Sequence, residues 1–169
     1  FFYASWSLPL TGLLLAEAGT VWLAGLALAR WRRPALRRLA LGLALAVCFG
    51  LLGYFKYFNF LAGSVSTLLG GTWDAWNIIL PVGCSFYTFQ AVSYAIDVYR
   101  GRLEPERHPG YLTLYLAFFP QLVAGPIERA GDLLPQLRSE RRVGVEDVEA
   151  GLRLLLSGFF RKVVIADFC

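Results

Sequence analysis

Long apolar runs separated by short arginine clusters constrain this chain more than anything else in it. Residues 8–29 run for 22 positions with one charge, Glu17, and the next nine residues hold five arginines: Arg30, Arg32, Arg33, Arg37 and Arg38. A second run covers 39–61, interrupted by Lys56, and a third covers 78–96. A helix needs about 20 consecutive apolar residues to cross a hydrocarbon core about 30 Å thick, so each run is a candidate membrane span. Composition agrees: 57% of residues are hydrophobic and 17% charged, against about 45–50% and about 25% in soluble domains. Disorder is excluded by the same figures. A collagen-like fold is excluded because the 17 glycines have no period, and a disulfide scaffold because there are three cysteines. The fold class expected is an all-α integral membrane protein, a multi-spanning helical bundle.

The chain opens on Phe1-Phe2-Tyr3, contains no methionine and closes on Asp167-Phe168-Cys169 just after an apolar run, so it reads as a piece of a longer polypeptide. No basic region precedes the first run and no cleavage site follows it, so a signal peptide cannot be argued. Cys48 and Cys84 lie inside apolar runs and behave as small buried hydrophobes; no cysteine pair has metal-ligand spacing, and no metal site is expected. The net charge of +4 comes from the arginine clusters, which in a membrane protein set topology. Nucleic acid is not expected as a partner, because no basic face on a soluble module is visible.

Orientation follows from the basic residues. Residues 30–38 and the polar segment 97–110, with Arg100, Arg102 and Arg107, should face the cytoplasm, and 56–77 the opposite side. Trp22 and Trp31 near one end and the aromatic cluster 54–60 near the other read as interfacial belts. Residues 63–77, rich in Gly, Ser and Thr, read as a loop with a short interfacial helix around Trp73 and Trp76. Pro81 and Gly83 bend the third run or mark a helix start.

Residues 111–127 conflict with this topology. A full crossing would put Arg129, Arg138, Arg141 and Arg142 outside, and Pro120 and Pro126 interrupt only 17 residues. A re-entrant or broken helix removes the conflict; a kinked spanning helix is the alternative. Irregular backbone at membrane depth needs protein or a water-filled cavity around it, so this segment points to a functional cavity. Residues 145–166 form an amphipathic helix. Val145, Val148, Leu152, Leu155, Phe159 and Val163 lie at 3–4 spacing, with Glu146, Arg153, Ser157 and Arg161 opposite. It either lies at the interface or packs in the bundle with its polar side against a cavity.

Few residues offer catalysis. The single histidine, His108, sits in a polar loop between Arg107 and Pro109 and reads as solvated; catalytic histidines need an ordered, partly buried setting. No phosphate loop, HExxH or paired-Cys motif occurs, and no catalytic residue is assigned. Gln90, Ser93 and Asp97 share a helical stripe beside Tyr87 and Tyr94. Polar groups at membrane depth should face the bundle or a cavity, either as interhelical hydrogen bonds or as a lining. Glu17, the deepest acid, is open to three readings: neutral, paired or proton-linked.

The stretch Leu80-Pro81-Val82-Gly83-Cys84-Ser85-Phe86-Tyr87-Thr88-Phe89-Gln90, followed by Ser93-Tyr94 and Ile96-Asp97-Val98-Tyr99-Arg100-Gly101, resembles a signature of the membrane-bound O-acyltransferase family. Phe118-Phe119-Pro120-Gln121-Leu122-Val123-Ala124-Gly125-Pro126-Ile127, with Arg129 and residues 132–137, resembles its next block. Gly158-Phe159-Phe160-Arg161-Lys162-Val163-Val164-Ile165-Ala166-Asp167 is similar to the one after, and Gly53-Tyr54-Phe55-Lys56-Tyr57-Phe58-Asn59-Phe60 matches too. The blocks keep the family's order over nearly the whole chain and look most like its alginate O-acetylation branch. Cys84 departs from the aliphatic residue common there.

The resemblance implies a helical fold around a tunnel, a bacterial inner-membrane location, and transfer of an acyl group, usually acetyl, from a cytoplasmic donor towards hydroxyls of an extracytoplasmic polysaccharide such as alginate. Acetyl-CoA or another acyl donor enters as substrate, with no bound cofactor. Membrane lipid and an extracytoplasmic acyl-transfer protein are the implied partners. The family's catalytic histidine belongs to a block beyond residues 158–167, and His108 does not match it. These 169 residues alone are therefore expected to be inactive, and the full-length protein an O-acyltransferase. Where the broken segment and the resemblance meet, Gln121, Gly125, Pro126 and Arg129, with Tyr87 and Gln90, are expected to line the acyl or donor path. Arg129 either pairs with donor phosphate or is a topology-setting surface charge. From the residues alone, a transporter or channel fragment and a purely structural membrane subunit remain competing classes.

Overall fold

The computed structural model describes residues 4–5, 7–72, 74, 76–123, 126–140 and 143–168, with the side chain of Val123 left aside. Every regular element among the described residues is helical. The chain divides into two compact units, Phe1–Arg138 and Ser139–Cys169.

In the first unit, α1 (Leu8–Arg30) and α2 (Pro34–Leu52) form a pair with prolines in their first turns. There the missing N–H costs nothing and φ is already helical. Pro34 also forces the preceding Arg33 into extended backbone, φ −75° and ψ 123°. The arginine-rich segment expected to link two spans is thus partly helical, α2 starting at Pro34. Helix α1 buries Leu14, Glu17, Ala18, Val21, Ala24, Gly25 and Leu28, a single stripe. Helix α2 buries only Ala40, Ala44, Cys48 and Leu52, spaced by four. Small residues on such stripes let helix backbones approach, the packing logic of helices in lipid. Leu15, Leu23, Leu39, Leu43, Val47 and Phe49 on the outer faces are exposed. Apolar surface of that extent suits lipid rather than water.

A short π-helical turn, Gly53–Tyr57, carries α2 into α3 (Phe58–Leu68). The loop expected from residue 63 therefore begins later. The Gly-Ser-Thr composition there does not stop the helix, because Ser64 and Thr67 return their hydroxyls to the carbonyls of Phe60 and Gly63 at 2.8 and 2.9 Å. It ends in a Schellman motif: Gly70 takes φ 71°, and Gly70 and Gly71 donate to Thr67 and Ser66. Trp73 lies outside the described residues. Asn59 holds the segment that follows, donating to the Trp76 carbonyl at 2.8 Å and accepting from the Trp76 N–H. Two helical stretches, Leu8–Arg30 of 23 residues and Pro34–Leu68 of 35, are long and apolar enough to cross a membrane.

Helix α4 (Cys84–Tyr99) packs against both α1 and α2. Its Tyr94 lies on Gly25 of α1, where an added Cβ would come within 2.8 Å of the phenol oxygen. A second Schellman motif closes it, with Gly101 at φ 71° and Arg102 donating to the Asp97 carbonyl at 2.9 Å. Then come α5 (Pro109–Leu116), α6 (Phe119–Val123) and α7 (Ala130–Arg138). The chain leaves helical geometry between α5 and α6, just before Pro120.

The second unit is α8 (Val145–Phe160), running on into a π-helical turn, Arg161–Ala166. Asp147 accepts the Gly144 N–H at 2.9 Å, and Glu149 pairs with Arg153 one turn on at 2.6 Å. Both arrangements favour the helix, the first by satisfying an orphan donor and the second as an i,i+4 pair.

Candidate functional site

The site is built where α4 starts. Pro81 and Gly83 make a tight entry: Gly83 adopts φ 72°, and Cys84 and Tyr87 donate to the carbonyls of Pro81 and Gly83. Only glycine fits, for a second reason. A Cβ there would stand 2.7 Å from the Leu122 carbonyl oxygen, because the backbone of α6 lies against this entry. Beside it opens a cleft of about 200 Å³ lined by Leu80, Val82, Ser85, Phe86 and Leu122. Lys56 of the π-helical turn donates to Ser85 Oγ at 3.0 Å, bringing a cation to its edge.

Deeper along α4, Gln90 Nε2 donates to Gln121 Oε1 of α6. Gln90 is buried and its own carbonyl accepts the Ser93 hydroxyl at 2.9 Å. Tyr87, one turn before Gln90, is wholly buried. The structure thus brings Gln90 and Gln121 together, with Tyr87 one turn earlier on α4. Pro126 and Arg129 are exposed on the segment before α7, where the Arg129 carbonyl accepts the first N–H groups of that helix, from Asp132 and Leu133. Gly125 lies outside the described residues. Tyr115 of α5 anchors the same segment through a 2.8 Å bond to the Glu128 carbonyl.

His108 has a structural position. It precedes α5, where its Nδ1 accepts the Gly110 N–H at 3.1 Å and its ring meets Tyr111 edge-on. Among the described residues no group of three or more His, Cys, Asp or Glu side chains is placed to hold a metal ion.

Two buried acids have partners that the sequence alone does not give. Glu17 of α1 accepts Thr88 of α4 at 3.4 Å, with the Cys48 thiol of α2 beside the same carboxyl, and its Oε1 makes no hydrogen bond. Glu106 pairs with Arg138 and accepts the His108 N–H, while its own N–H donates to the Tyr94 hydroxyl. Glu17 stood out as a lone acid in an apolar run. Nothing in the pattern marked Glu106, whose partners come from α4 and α7. Chemically, the Gln90–Gln121 pair supplies neutral hydrogen-bonding groups in apolar surroundings. These can orient a carbonyl or hydroxyl without placing a charge there.

The chain is 35% identical over 173 residues to a protein of Azotobacter vinelandii described as a probable alginate O-acetylase AlgI, an alignment covering 98% of this chain and 34% of that one. It is 39% identical over 139 residues to the Pseudomonas aeruginosa protein of the same description, covering 80% and 26%. It is 30% identical over 193 residues to a peptidoglycan O-acetyltransferase of Helicobacter pylori, covering 99% and 37%. The chain spans between 26% and 37% of the length of these relatives. No family model matches it, and no solved structure does.

Proposed function

The chain belongs to the membrane-bound O-acyltransferase family, alongside the alginate O-acetylases, and from this we propose that the full-length protein transfers an acetyl group from a cytoplasmic donor to hydroxyls of an extracytoplasmic polysaccharide. Alginate is the acceptor named for two of the relatives and peptidoglycan for the third. Acetyl-CoA is the donor that fits an acetyl transfer starting on the arginine-rich side, and a protein on the far side would carry the group to the polymer. The location is the bacterial inner membrane, crossed several times. Helices α1 and α2–α3 supply two crossings. Helix α4 has 16 residues, about 24 Å, and completes a third crossing with the non-helical segment before it. The broken pair α5–α6 dips in and returns.

The observation that carries this reading is the hydrogen bond between Gln90 and Gln121. It joins the family-like blocks at 80–101 and 118–137 beside the break between α5 and α6. At membrane depth polar side chains face the bundle interior or a water-filled cavity, and the break before α6 favours the cavity. Tyr87, Gln90 and Gln121 would line that cavity, with Gly125, Pro126 and Arg129 at its mouth, where Arg129 would meet donor phosphate.

The test uses polysaccharide acetylation by the full-length protein. Gln121→Leu is expected to lower transfer at least tenfold. The double change Gln90→Leu with Gln121→Leu removes both amides, so it restores apolar matching and folded yield but not transfer. Transfer recovered in the double variant would make the pair a folding device and remove it from the path. Arg129→Ala is expected to weaken donor use; unchanged transfer would leave Arg129 as a topology charge.

A further inference from the structure

A second cavity, of about 520 Å³, lies open at the other end of α4, bounded by the end of α1, the start of α2 and the turn after α4. Three arginines line it, Arg32, Arg37 and Arg102, against one acid, Glu104. None of the four belongs to an ion pair among the described residues.

Arg37 is held firmly. Its terminal nitrogen donates to the Tyr99 carbonyl at 2.7 Å and its guanidinium stands 5.3 Å from the centre of the Tyr99 ring. Its Nε, by contrast, is buried and has no hydrogen-bond partner. The start of α2 adds to the imbalance. Its first turn contains no acid and receives no side-chain cap, while Arg33, Arg37 and Arg38 crowd it. A helix N-terminus already carries about half a positive charge and favours anions. Arginines gathered there raise the free energy unless an anion joins them.

The cavity also has an apolar wall of Leu28, Val98 and Leu103, with Trp31 at its rim. Leu36, Leu39 and Leu43 add exposed apolar surface on the outer face of α2, round the helix from Arg37. The cavity thus pairs a cationic head site, at the end of an apolar span, with an apolar wall of its own. Arginine forks suit phosphate oxygens, and basic pockets between membrane helices on the cytoplasmic side bind anionic headgroups.

We propose that this cavity is a phosphate site occupied by the headgroup of an anionic phosphoglyceride, whose acyl chains leave past the apolar wall of Leu28, Val98 and Leu103 into the surrounding lipid. The site rests on the membrane reading and on no step of acyl transfer. Phosphate also arrives on diffusible molecules, so the experiment separates the two sources.

The full-length protein in neutral detergent is titrated with short-chain phosphatidylglycerol, phosphatidylcholine, inorganic phosphate and coenzyme A, and binding is followed by native mass spectrometry. Phosphatidylglycerol is expected to be retained at least tenfold more tightly than phosphatidylcholine. Each of Arg37→Gln and Arg102→Gln should weaken it about fivefold, near 1 kcal/mol per basic residue. Arg153→Gln, in the second unit, should leave it unchanged. Arg37→Gln also removes the bond to Tyr99, so Arg102→Gln, on an exposed turn, decides the matter if Arg37→Gln fails to fold. Equal retention of the two lipids overturns the proposal, as does insensitivity to Arg102→Gln. Displacement of phosphatidylglycerol by coenzyme A or phosphate alone assigns the cavity to a soluble ligand and overturns the lipid occupant.

Discussion

The two ends of α4 are built from the same local device and used differently. Each has a glycine in left-handed backbone, Gly83 at φ 72° and Gly101 at φ 71°. At the Gly83 end the backbone of α6 packs against the turn, and an amide pair follows within two helical turns. At the Gly101 end nothing lies within 4 Å of where a Cβ would be, and the turn opens onto the arginine-lined cavity. One end has protein packed against its glycine; the other has its charges placed and open space at its glycine. Backbone conformation alone therefore does not tell which glycine the fold depends on; the neighbours do.

The largest expected effect comes from filling the closed end. Gly83→Ala combines a left-handed alanine, about 1 kcal/mol, with displacement of the Leu122 backbone, about 2 kcal/mol by the usual cost of overpacking. The full-length protein in detergent should lose about 3 kcal/mol in thermal or denaturant unfolding. The same substitution should also misplace Gln121 relative to Gln90, so acetylation should fall further than the remaining folded fraction explains. A variant with wild-type stability would mean that α6 does not press on this turn.

The next effect tests how the loop after the open end is fixed. Glu106 is 3% exposed and its partner Arg138 about half exposed. Removing one member of a buried pair typically costs about 3–5 kcal/mol, and solvent around Arg138 reduces that to about 2 kcal/mol. Arg138→Ala should therefore destabilise clearly, with Glu106→Gln in the same background recovering part of the loss because the stranded charge is gone. If the second change adds to the first, the ion pair is not what pins the loop, and the bonds from His108 and to Tyr94 carry it instead.

What the sequence revealed follows the same division between local and tertiary causes. The extent of α1, the break before Pro120 and the entry at Pro81–Gly83 are written in neighbouring residues, because proline geometry and apolar run length act locally. The end of α3 was also written locally, in Gly70-Gly71. A composition rich in Gly, Ser and Thr pointed to an earlier loop, yet hydroxyls returning to their own helix removed that conflict. Gln90 was conspicuous as an amide in an apolar stretch, and Gln121 through the family-like block around Pro120. Their bond depends on how α6 meets α4, which no periodicity encodes. Glu106 was invisible for the same reason, an ordinary loop acid until α4 and α7 close on it. The arginines of residues 30–38 were legible as charge; that two of them share a cavity with Arg102 depends on the turn at Gly101.

The smallest effect is the sharpest test of the comparison between the two ends. Gly101→Ala places a methyl group in open space, so only the backbone term applies, about 1 kcal/mol. Gly101→Asn should cost less, since asparagine tolerates the left-handed region. Neither change alters the arginine side chains, so both variants should keep phosphatidylglycerol binding and acetylation close to wild type. A loss for Gly101→Ala as large as that for Gly83→Ala would show the cavity end to be packed as tightly as the other. The contrast between a turn pressed by the backbone of α6 and a turn with open space beside it would then collapse.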